Sequence, residues 1–180
     1  MKTLIVIDMQ NDFVTGNLGT SEARAIVSKI ETKIKKEYNL SSDRIIFTQD
    51  SHYLQDWDNN NPAEKIEMSK VPRHCIKSTP GWCIVDTLFP LADNVIEKES
   101  FGYLNWKDYL LSYQGFPPTS IEIVGVCTDI CIISNALALR TIFPTTPIIV
   151  DAVCCAGTTP EKHKAALEVM KSCCIDVINE

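Results

Sequence analysis

Cys131 has the side chain and the position of a nucleophile in this sequence of 180 residues. It follows an apolar run at 120–126 and a short turn, and it opens a largely apolar helical pattern. A thiol at the N-terminus of a helix lies near the positive end of the helix dipole, which lowers its pKa, and free backbone N–H groups there can donate to an oxyanion. A buried structural cysteine is the alternative for this position.

Two charged residues stand where they could assist such a thiol. Asp8 ends the apolar run 4–7 and could accept a proton, and Lys98 ends the run 94–98 and could stabilise a thiolate. Taken singly, Asp8 could instead cap the loop that follows it, and Lys98 could be a solvated surface lysine. Because the carboxyl ends of parallel strands meet at one edge of a sheet, we expect both side chains near Cys131.

A second group of residues has the donor types of a metal site. Asp50 and His52 end another apolar run two residues apart, so their side chains lie on the same face of a strand. With His74 they form a nitrogen and oxygen donor set that suits Zn²⁺, Fe²⁺ or Mn²⁺, and a fourth ligand could be Glu64, Glu67 or water. A hydrogen-bonded Asp–His pair without a metal is the alternative.

Apolar runs that alternate with helical patterns must position these residues. The runs are unbroken, as in strands buried on both faces, and lie at 4–7, 44–50, 94–98, 120–126, 148–151 and 175–178. Helical patterns lie at 22–38, at 129–140 and after Pro160. Thr20 or Ser21 would cap the first helix and Thr158 the last, where His163 falls on the polar face and is expected at the surface. This alternation predicts an α/β fold with parallel strands and helices on both faces of the sheet.

Composition and charge narrow the class of protein. The chain has 45% hydrophobic and 22% charged residues, which is typical of one globular domain over 1–180 and excludes a disordered chain. A net charge of −6 argues against a nucleic-acid or anionic-membrane partner. No apolar run approaches the roughly 20 residues of a membrane helix, and the N-terminal run is too short for a signal peptide, so we expect a cytoplasmic protein. The eight cysteines are then expected to be mostly free thiols in the core.

Two motifs together resemble those of the isochorismatase-like cysteine hydrolases, a family that includes nicotinamidases. They are VIDMQNDF at 6–13 and GVCTDICI at 125–132, here called the elbow. Three further segments extend the resemblance over nearly the whole chain: HCIKSTPGW at 74–82, KESF at 98–101 and DA at 151–152. Any one motif alone would be weak, but their joint occurrence in this order is specific.

The resemblance implies a fold and a catalytic triad. The fold would be a three-layer α/β/α Rossmann-like arrangement with a central, mostly parallel sheet. The triad would consist of Asp8, Lys98 and Cys131. A non-proline cis peptide between Val126 and Cys127 is also implied, with the backbone amides of Cys127 and Cys131 as the oxyanion donors.

The resemblance also implies an activity. Nicotinamidases of the family hold a divalent metal through an Asp-x-His and a later His, which map onto Asp50, His52 and His74, whereas relatives that act on isochorismate or carbamoyl compounds generally lack this set. The implied reaction converts a small aromatic amide, nicotinamide, to nicotinate and ammonia through a thioester, with a divalent metal and no organic cofactor. Because relatives form dimers or tetramers, a homodimer or homotetramer is expected.

The residues of the pocket wall and three alternative functions remain open. Phe13 could stack on a flat ring, and Ile130 and Tyr103 are further wall residues. Another hydrolase of the family could act on a ureido or carbamoyl amide or on an isochorismate-type substrate. Cys127 and Cys131 could instead form a redox pair, although Cys-x-x-Cys is the usual redox spacing. A binding module that has kept the fold without activity is the third possibility.

Overall fold

Six strands form the centre of the protein, of which the computed structural model describes residues 1–57, 66–112 and 115–180. They are β1 (Lys2–Ile7), β2 (Arg44–Asp50), β3 (Val95–Lys98), β4 (Ser120–Val126), β5 (Ile148–Ala156) and β6 (Asp176–Ile178). The strand order is β3-β2-β1-β4-β5-β6, and each pairing of neighbours is parallel. Each strand overlaps a run predicted from the sequence, and β5 continues beyond the predicted end at 151.

Helices cover both faces of this sheet. They are α1 (Asn11–Val14), α2 (Ser21–Glu37), α3 (Trp106–Leu111), α4 (Ile133–Ile142) and α5 (Pro160–Ser172). In β1, Leu4 and Val6 pack into the core beneath α2, while Ile5 and Ile7 pack into the core beneath α3, α4 and α5. All four side chains are buried, which explains the unbroken apolar run. The prediction of a three-layer α/β/α fold is confirmed.

The start of α2 is as predicted, and the starts of two later helices differ from the prediction. Thr20 caps α2 as expected, since its hydroxyl accepts the N–H of Ala23 at 3.0 Å. The cap of α5 is Thr159, whose side chain accepts the N–H of Lys162, and not Thr158. Thr158 is unavailable because its hydroxyl donates to Asp129. The predicted helix at 129–140 begins instead as a π-helical turn, Thr128–Ile132, which continues into α4.

Gly125 allows β4 to approach β1 closely at the start of the elbow. Its φ is +121°, which favours glycine. A Cβ at this position would lie 2.1 Å from the carbonyl oxygen of Ile7. The chain can therefore enter the elbow beside the end of β1 only with a glycine here.

The order of the strands determines where a site can form. From β1 the chain proceeds outward through β2 to β3, and it then crosses to β4 on the opposite side of β1. The direction of winding therefore changes between β1 and β4. Ligands of open α/β sheets bind at the carboxyl ends of the strands beside such a switch point. Across the three described ranges, the structure contains no helix with the length and apolarity to span a membrane.

A buried ion cluster outside this edge fixes α2 to the sheet. The ammonium of Lys33 lies 2.8 Å from each of three carboxylates, those of Glu37, Glu122 and Asp151. Tyr38 donates a short hydrogen bond to Glu122. Burial alone would lower the pKa of Lys33, but its hydrogen bonds to the three carboxylates raise that pKa. The lysine therefore stays charged between its partners.

Replacing Lys33 with Met should lower the free energy of unfolding by about 3–5 kcal/mol, because the carboxylates of Glu122 and Asp151 would then be buried without their cation. Urea unfolding measures this loss. Lys35→Met is the matched control, since Lys35 forms an exposed pair with Glu31 on the same helix and should change stability little. Equal stabilities for the two variants would contradict the role of the cluster.

Candidate active site

Asp8 lies immediately after β1, at the switch point. Its φ is +50°, a left-handed conformation that aspartate tolerates and that ends the strand. The side chain is fully buried. Thr48 of β2 donates its hydroxyl to Asp8 Oδ1 at 2.6 Å and accepts the Asp8 N–H at 3.2 Å. The backbone turn and this threonine together fix the direction of the carboxylate.

Lys98 is the last residue of β3, and its side chain is buried. Its ammonium lies 2.7 Å from Asp8 Oδ2, 3.3 Å from Asp50 Oδ1 and 3.8 Å from Cys131 Sγ. It also donates to the carbonyl of Ser100 at 3.1 Å. Asp50 and Lys98 are register partners of β2 and β3, which explains why their side chains meet. One ammonium therefore joins two carboxylates and a thiol.

Cys131 lies in the π-helical turn that follows β4, and its side chain is 5% exposed. The peptide between Val126 and Cys127 is cis, as the resemblance implies. Asn135, one turn further along α4, donates to the carbonyl of Cys131 at 2.8 Å. The structure thus brings Cys131 to the ammonium of Lys98, as expected from the sequence.

The surroundings of Cys131 favour its thiol over its thiolate. Burial raises the pKa of Cys131 well above its usual range, and the attraction of Lys98 offsets this only in part. The expectation of a lowered pKa is therefore wrong, because the cost of removing the charged sulfur from water, together with the nearby carboxylates of Asp8 and Asp50, outweighs the effect of Lys98. Burial likewise raises the pKa of Asp8, against the opposing effect of Lys98. Forming the thiolate requires a base beside it.

Four side chains form a metal-ligand cluster next to the triad: Asp50, His52, Glu67 and His74. Their candidate ligand atoms lie within 4.8 Å of one another. Nε2 of His52 and Nε2 of His74 lie 3.0 and 3.3 Å from Asp50 Oδ2. Glu67 Oε1 lies 3.6 Å from Nε2 of His74. Of the two glutamates considered from the sequence, Glu67 joins the cluster and Glu64 lies outside the described residues.

The cluster fits a divalent metal by its donor chemistry. Two imidazole nitrogens and two carboxylates are the set that suits zinc, iron or manganese. Nδ1 of His74 lies 2.7 Å from the carbonyl of Pro72, which can only accept, so Nδ1 carries a proton and Nε2 is the atom that a metal would take in place of a proton. Against the effect of burial, hydrogen bonds to Asp50 and Glu67 raise the pKa of His74 to about 10. The two carboxylates thus favour positive charge at this point.

A cavity of about 310 Å³ opens onto both the thiol and the metal-ligand cluster. Most of its lining is apolar, and the lining residues are Phe13, Leu18, Thr20, Ala23, Asp50, Glu67, Val71, His74, Phe101, Val126, Cys127, Ile130, Cys131, Gly157 and Thr158. Phe13 and Ile130 lie in the wall as expected, and the ring of Phe13 is 5.5 Å from that of His74.

Tyr103 does not line this cavity, contrary to the expectation. Its ring packs edge-on against Trp106, with centroids 5.0 Å apart, and its backbone N–H donates to Asn135 at 2.9 Å. Phe101 occupies the wall instead. Asn135 accepts from Trp106 Nε1 and donates to Phe101 O as well, so one buried amide holds this wall against the helix that carries the thiol.

Sequence reasoning missed Asn135 and misplaced His163. A polar residue within an apolar helical pattern was the available signal for Asn135, which is fully buried. His163, expected at the surface, is half-buried with Nδ1 2.8 Å from the hydroxyl of Thr128 in the elbow. Beside it, Asp129 accepts from the N–H and the hydroxyl of Thr158 at 2.8 and 2.6 Å. These contacts tie the elbow to the start of α5.

A family model for the Isochorismatase domain matches residues 2–180. The chain belongs to the isochorismatase family. It is 28% identical to a nicotinamidase of Schizosaccharomyces pombe, with 98% of this chain and 92% of that protein covered. Its fold is similar to that of the nicotinamidase/pyrazinamidase PncA of Bacillus subtilis, at 26% identity and a TM-score of 0.78, with 99% of each chain covered. A pyrazinamidase of Pyrococcus horikoshii, solved in complex with zinc, is similar to the same degree: 26% identity, TM-score 0.78 and 99% coverage of each chain.

Replacing Glu67 with Ala should weaken zinc binding by about 10-fold or more, because one of the four converging donors is lost. Competition with a chromophoric chelator measures the affinity. Glu97→Ala is the control, since Glu97 is an exposed carboxylate that pairs with Lys77 and lies outside the cluster. Unchanged zinc affinity in the Glu67 variant would remove this residue from the ligand set.

Proposed function

We propose that this isochorismatase-family protein is a cysteine amidohydrolase that converts nicotinamide to nicotinate and ammonia, with Asp8, Lys98 and Cys131 as its catalytic residues. The observation that carries the proposal is the position of the Lys98 ammonium, which contacts the carboxylate of Asp8 and the sulfur of Cys131 beside the metal-ligand cluster. Similarity to proteins named nicotinamidase and pyrazinamidase supports the substrate class.

The reaction begins with transfer of the thiol proton to Asp8. Burial raises the pKa of both groups, and for Asp8 this makes the carboxylate a stronger base than an exposed aspartate. Lys98 keeps its charge throughout, since the carboxylate of Asp8 and the other negative groups raise its pKa against the effect of burial. The ammonium thus stabilises the negative charge on whichever neighbour carries it.

The thiolate then adds to the amide carbon. The oxyanion that forms is stabilised by the backbone amides of Cys127 and Cys131. The C–N bond breaks as Asp8 returns its proton to the departing nitrogen, which gives ammonia and a thioester. Asp8, now ionised again, takes one proton from water as the water attacks the thioester. The C–S bond then breaks, Asp8 returns that proton to the departing sulfur, and the product leaves as nicotinate after its remaining acid proton passes to solvent.

Asp50, His52, Glu67 and His74 would hold a divalent metal in this mechanism. Bound there, the metal would supply a Lewis-acid contact for the ring nitrogen of the substrate. Asp50 serves both halves of the site, since its Oδ2 faces the two histidines and its Oδ1 faces Lys98. The orientation of the ring and the position of the triad are therefore linked through one carboxylate.

The cavity lining favours a neutral amide over the other substrates of the family. Among the described residues that line it there is no lysine or arginine. A substrate with its own carboxylate, such as an isochorismate-type acid or a carbamoyl amino acid, would lose its hydration against this apolar lining, since Lys98 is already paired with Asp8 and Asp50 and a bound metal would be taken up by its four ligands and the ring nitrogen. Nicotinamide has no such charge.

A redox function for Cys127 and Cys131 is disfavoured. Redox pairs depend on an exposed thiol of low pKa. Burial raises the pKa of Cys127 to about 12, with Asp129 adding to the effect, and burial raises the pKa of Cys131 as well.

A cytoplasmic location and a homodimer or homotetramer stay predictions.

Cys131→Ala should reduce ammonia release from nicotinamide by about 10⁴-fold or more while the protein stays folded, because the covalent route needs the sulfur. A coupled ammonia assay and circular dichroism test the two parts of this statement. Cys83→Ala is the matched control, since this cysteine is exposed and lies outside the cavity. Retained turnover in the Cys131 variant would refute the assignment of the nucleophile.

A carboxylate added to the substrate should lower kcat/KM by about 100-fold or more, since burying an unpaired charge costs several kcal/mol. The test compares nicotinamide with the monoamide of pyridine-3,5-dicarboxylic acid, which has the same ring and amide. Ammonia release at several concentrations of each gives the two constants. Comparable values would show that the site accepts acidic substrates and would favour the other substrate classes of the family.

A further inference from the structure

Gln10 is a fully buried residue that belongs to neither the triad nor the metal-ligand cluster. It lies just after β1, whose register with β2 ends at the pairing of Val6 with Phe47. Asp8 then turns the chain out of the sheet with its positive φ. The end of β2 at Asp50 therefore has no backbone neighbour from β1.

The side-chain amide of Gln10 takes the place of that neighbour. Its Oε1 accepts the N–H of Asp50 at 2.7 Å, and its Nε2 donates to the carbonyl of Asp50 at 2.9 Å. Nε2 also donates to the carbonyl of Trp82 at 2.8 Å. The amide thus bonds to both backbone groups of one residue, as the facing residue does in a hydrogen-bonded pair of an antiparallel ladder, and it satisfies buried groups that would otherwise be costly.

The residue held in this way is the one that joins the two halves of the site. Asp50 has a short side chain with two rotatable bonds, so the position of its carboxylate depends closely on its backbone. Its Oδ2 lies 3.0 Å from His52 and 3.3 Å from His74, and its Oδ1 lies 3.3 Å from Lys98. A small rotation of the Asp50 backbone would change all three contacts together.

We infer that Gln10 is a positioning residue for the metal ligand Asp50. By fixing both backbone groups of Asp50, the amide sets the carboxylate where one oxygen serves the metal-ligand cluster and the other serves Lys98. This inference rests on the metal site of the proposed function. It assigns Gln10 no contact with metal or substrate, only the orientation of a residue that has one.

The neighbouring Gln49 offers a matched comparison. It is buried, it lies directly before Asp50, and its Nε2 donates to the same carbonyl of Trp82 at 2.9 Å. Its side-chain amide makes no hydrogen bond to Asp50 in the described part of the chain. Gln10 and Gln49 therefore share a partner, a residue type and a location. They differ in the pair of hydrogen bonds to the backbone of Asp50, here called the clamp, which Gln10 makes.

The experiment compares Gln10→Met and Gln49→Met with the wild-type protein. Zinc affinity is measured by competition with a chromophoric chelator, and the Co²⁺-loaded proteins are compared by their d–d absorption, which reports the geometry of the ligands. We expect Gln10→Met to bind zinc about 10–100-fold more weakly, the usual effect of losing an outer-shell partner, with an altered Co²⁺ spectrum. Gln49→Met should keep both the affinity and the spectrum, and the melting temperatures of the metal-free proteins separate this effect from general destabilisation.

Wild-type affinity and spectrum in Gln10→Met would overturn the inference, and equal losses in both variants would also overturn it, because the clamp would then not be the cause. If Gln10→Met does not fold, Gln10→Asn takes its place: it keeps a neutral amide but is one methylene too short to reach both groups of Asp50, and the same loss is expected. A wild-type protein that binds no zinc would instead refute the proposed metal site itself.

Discussion

The buried ammonium of Lys98 is the interaction on which the site depends. A charge removed from water is stable only when it is paired, and Lys98 is paired with Asp8 and Asp50, which are themselves buried. Each partner therefore stabilises the others, and none would remain ionised in this position alone. The same ammonium lies 3.8 Å from the sulfur of Cys131. Proton transfer from the sulfur to Asp8 moves a negative charge within reach of one fixed cation, so the net charge of the buried group does not change.

The sheet brings these groups together through adjacent strand ends. In the order β3-β2-β1-β4, the carboxyl ends present Lys98, Asp50, Asp8 and then the elbow with its thiol. The β2–β3 register aligns Asp50 with Lys98, and the turn at Asp8 directs its carboxylate toward the same ammonium. Residues far apart in the chain thus become neighbours because parallel strands all end at one edge. The metal-ligand cluster adds His52, Glu67 and His74 from the segment between β2 and β3.

The sequence predicted the parts of the site that depend on this edge. Asp8, Lys98 and Cys131 each follow an apolar run, and a run can be recognised from its residues alone. Tyr103 was expected in the pocket wall, but its place is decided by packing against Trp106 and by the amide of Asn135. The cap of α5 moved by one residue because Asp129 binds Thr158, a contact across 29 positions of the chain. The pKa of Cys131 was misjudged for the same reason, since burial is a property of the whole fold.

The charges of the site also bear on the kind of metal that it suits. The site contains three carboxylates and one ammonium. Asp50 and Glu67 share a contact with His74, and Asp8 and Asp50 share a contact with the ammonium of Lys98. With neutral imidazoles, the group has two negative charges in excess, which is unfavourable at low exposure. Against the effect of burial, hydrogen bonds to two of these carboxylates, those of Asp50 and Glu67, raise the pKa of His74 to about 10, so a proton on that ring offsets part of the excess. A divalent cation held by the four donors would balance the excess in full, whereas a monovalent cation would leave half of it. The residues around Lys98 and the metal-ligand cluster therefore form one electrostatic unit, in which Lys98 balances one carboxylate charge and a divalent metal would balance the other two.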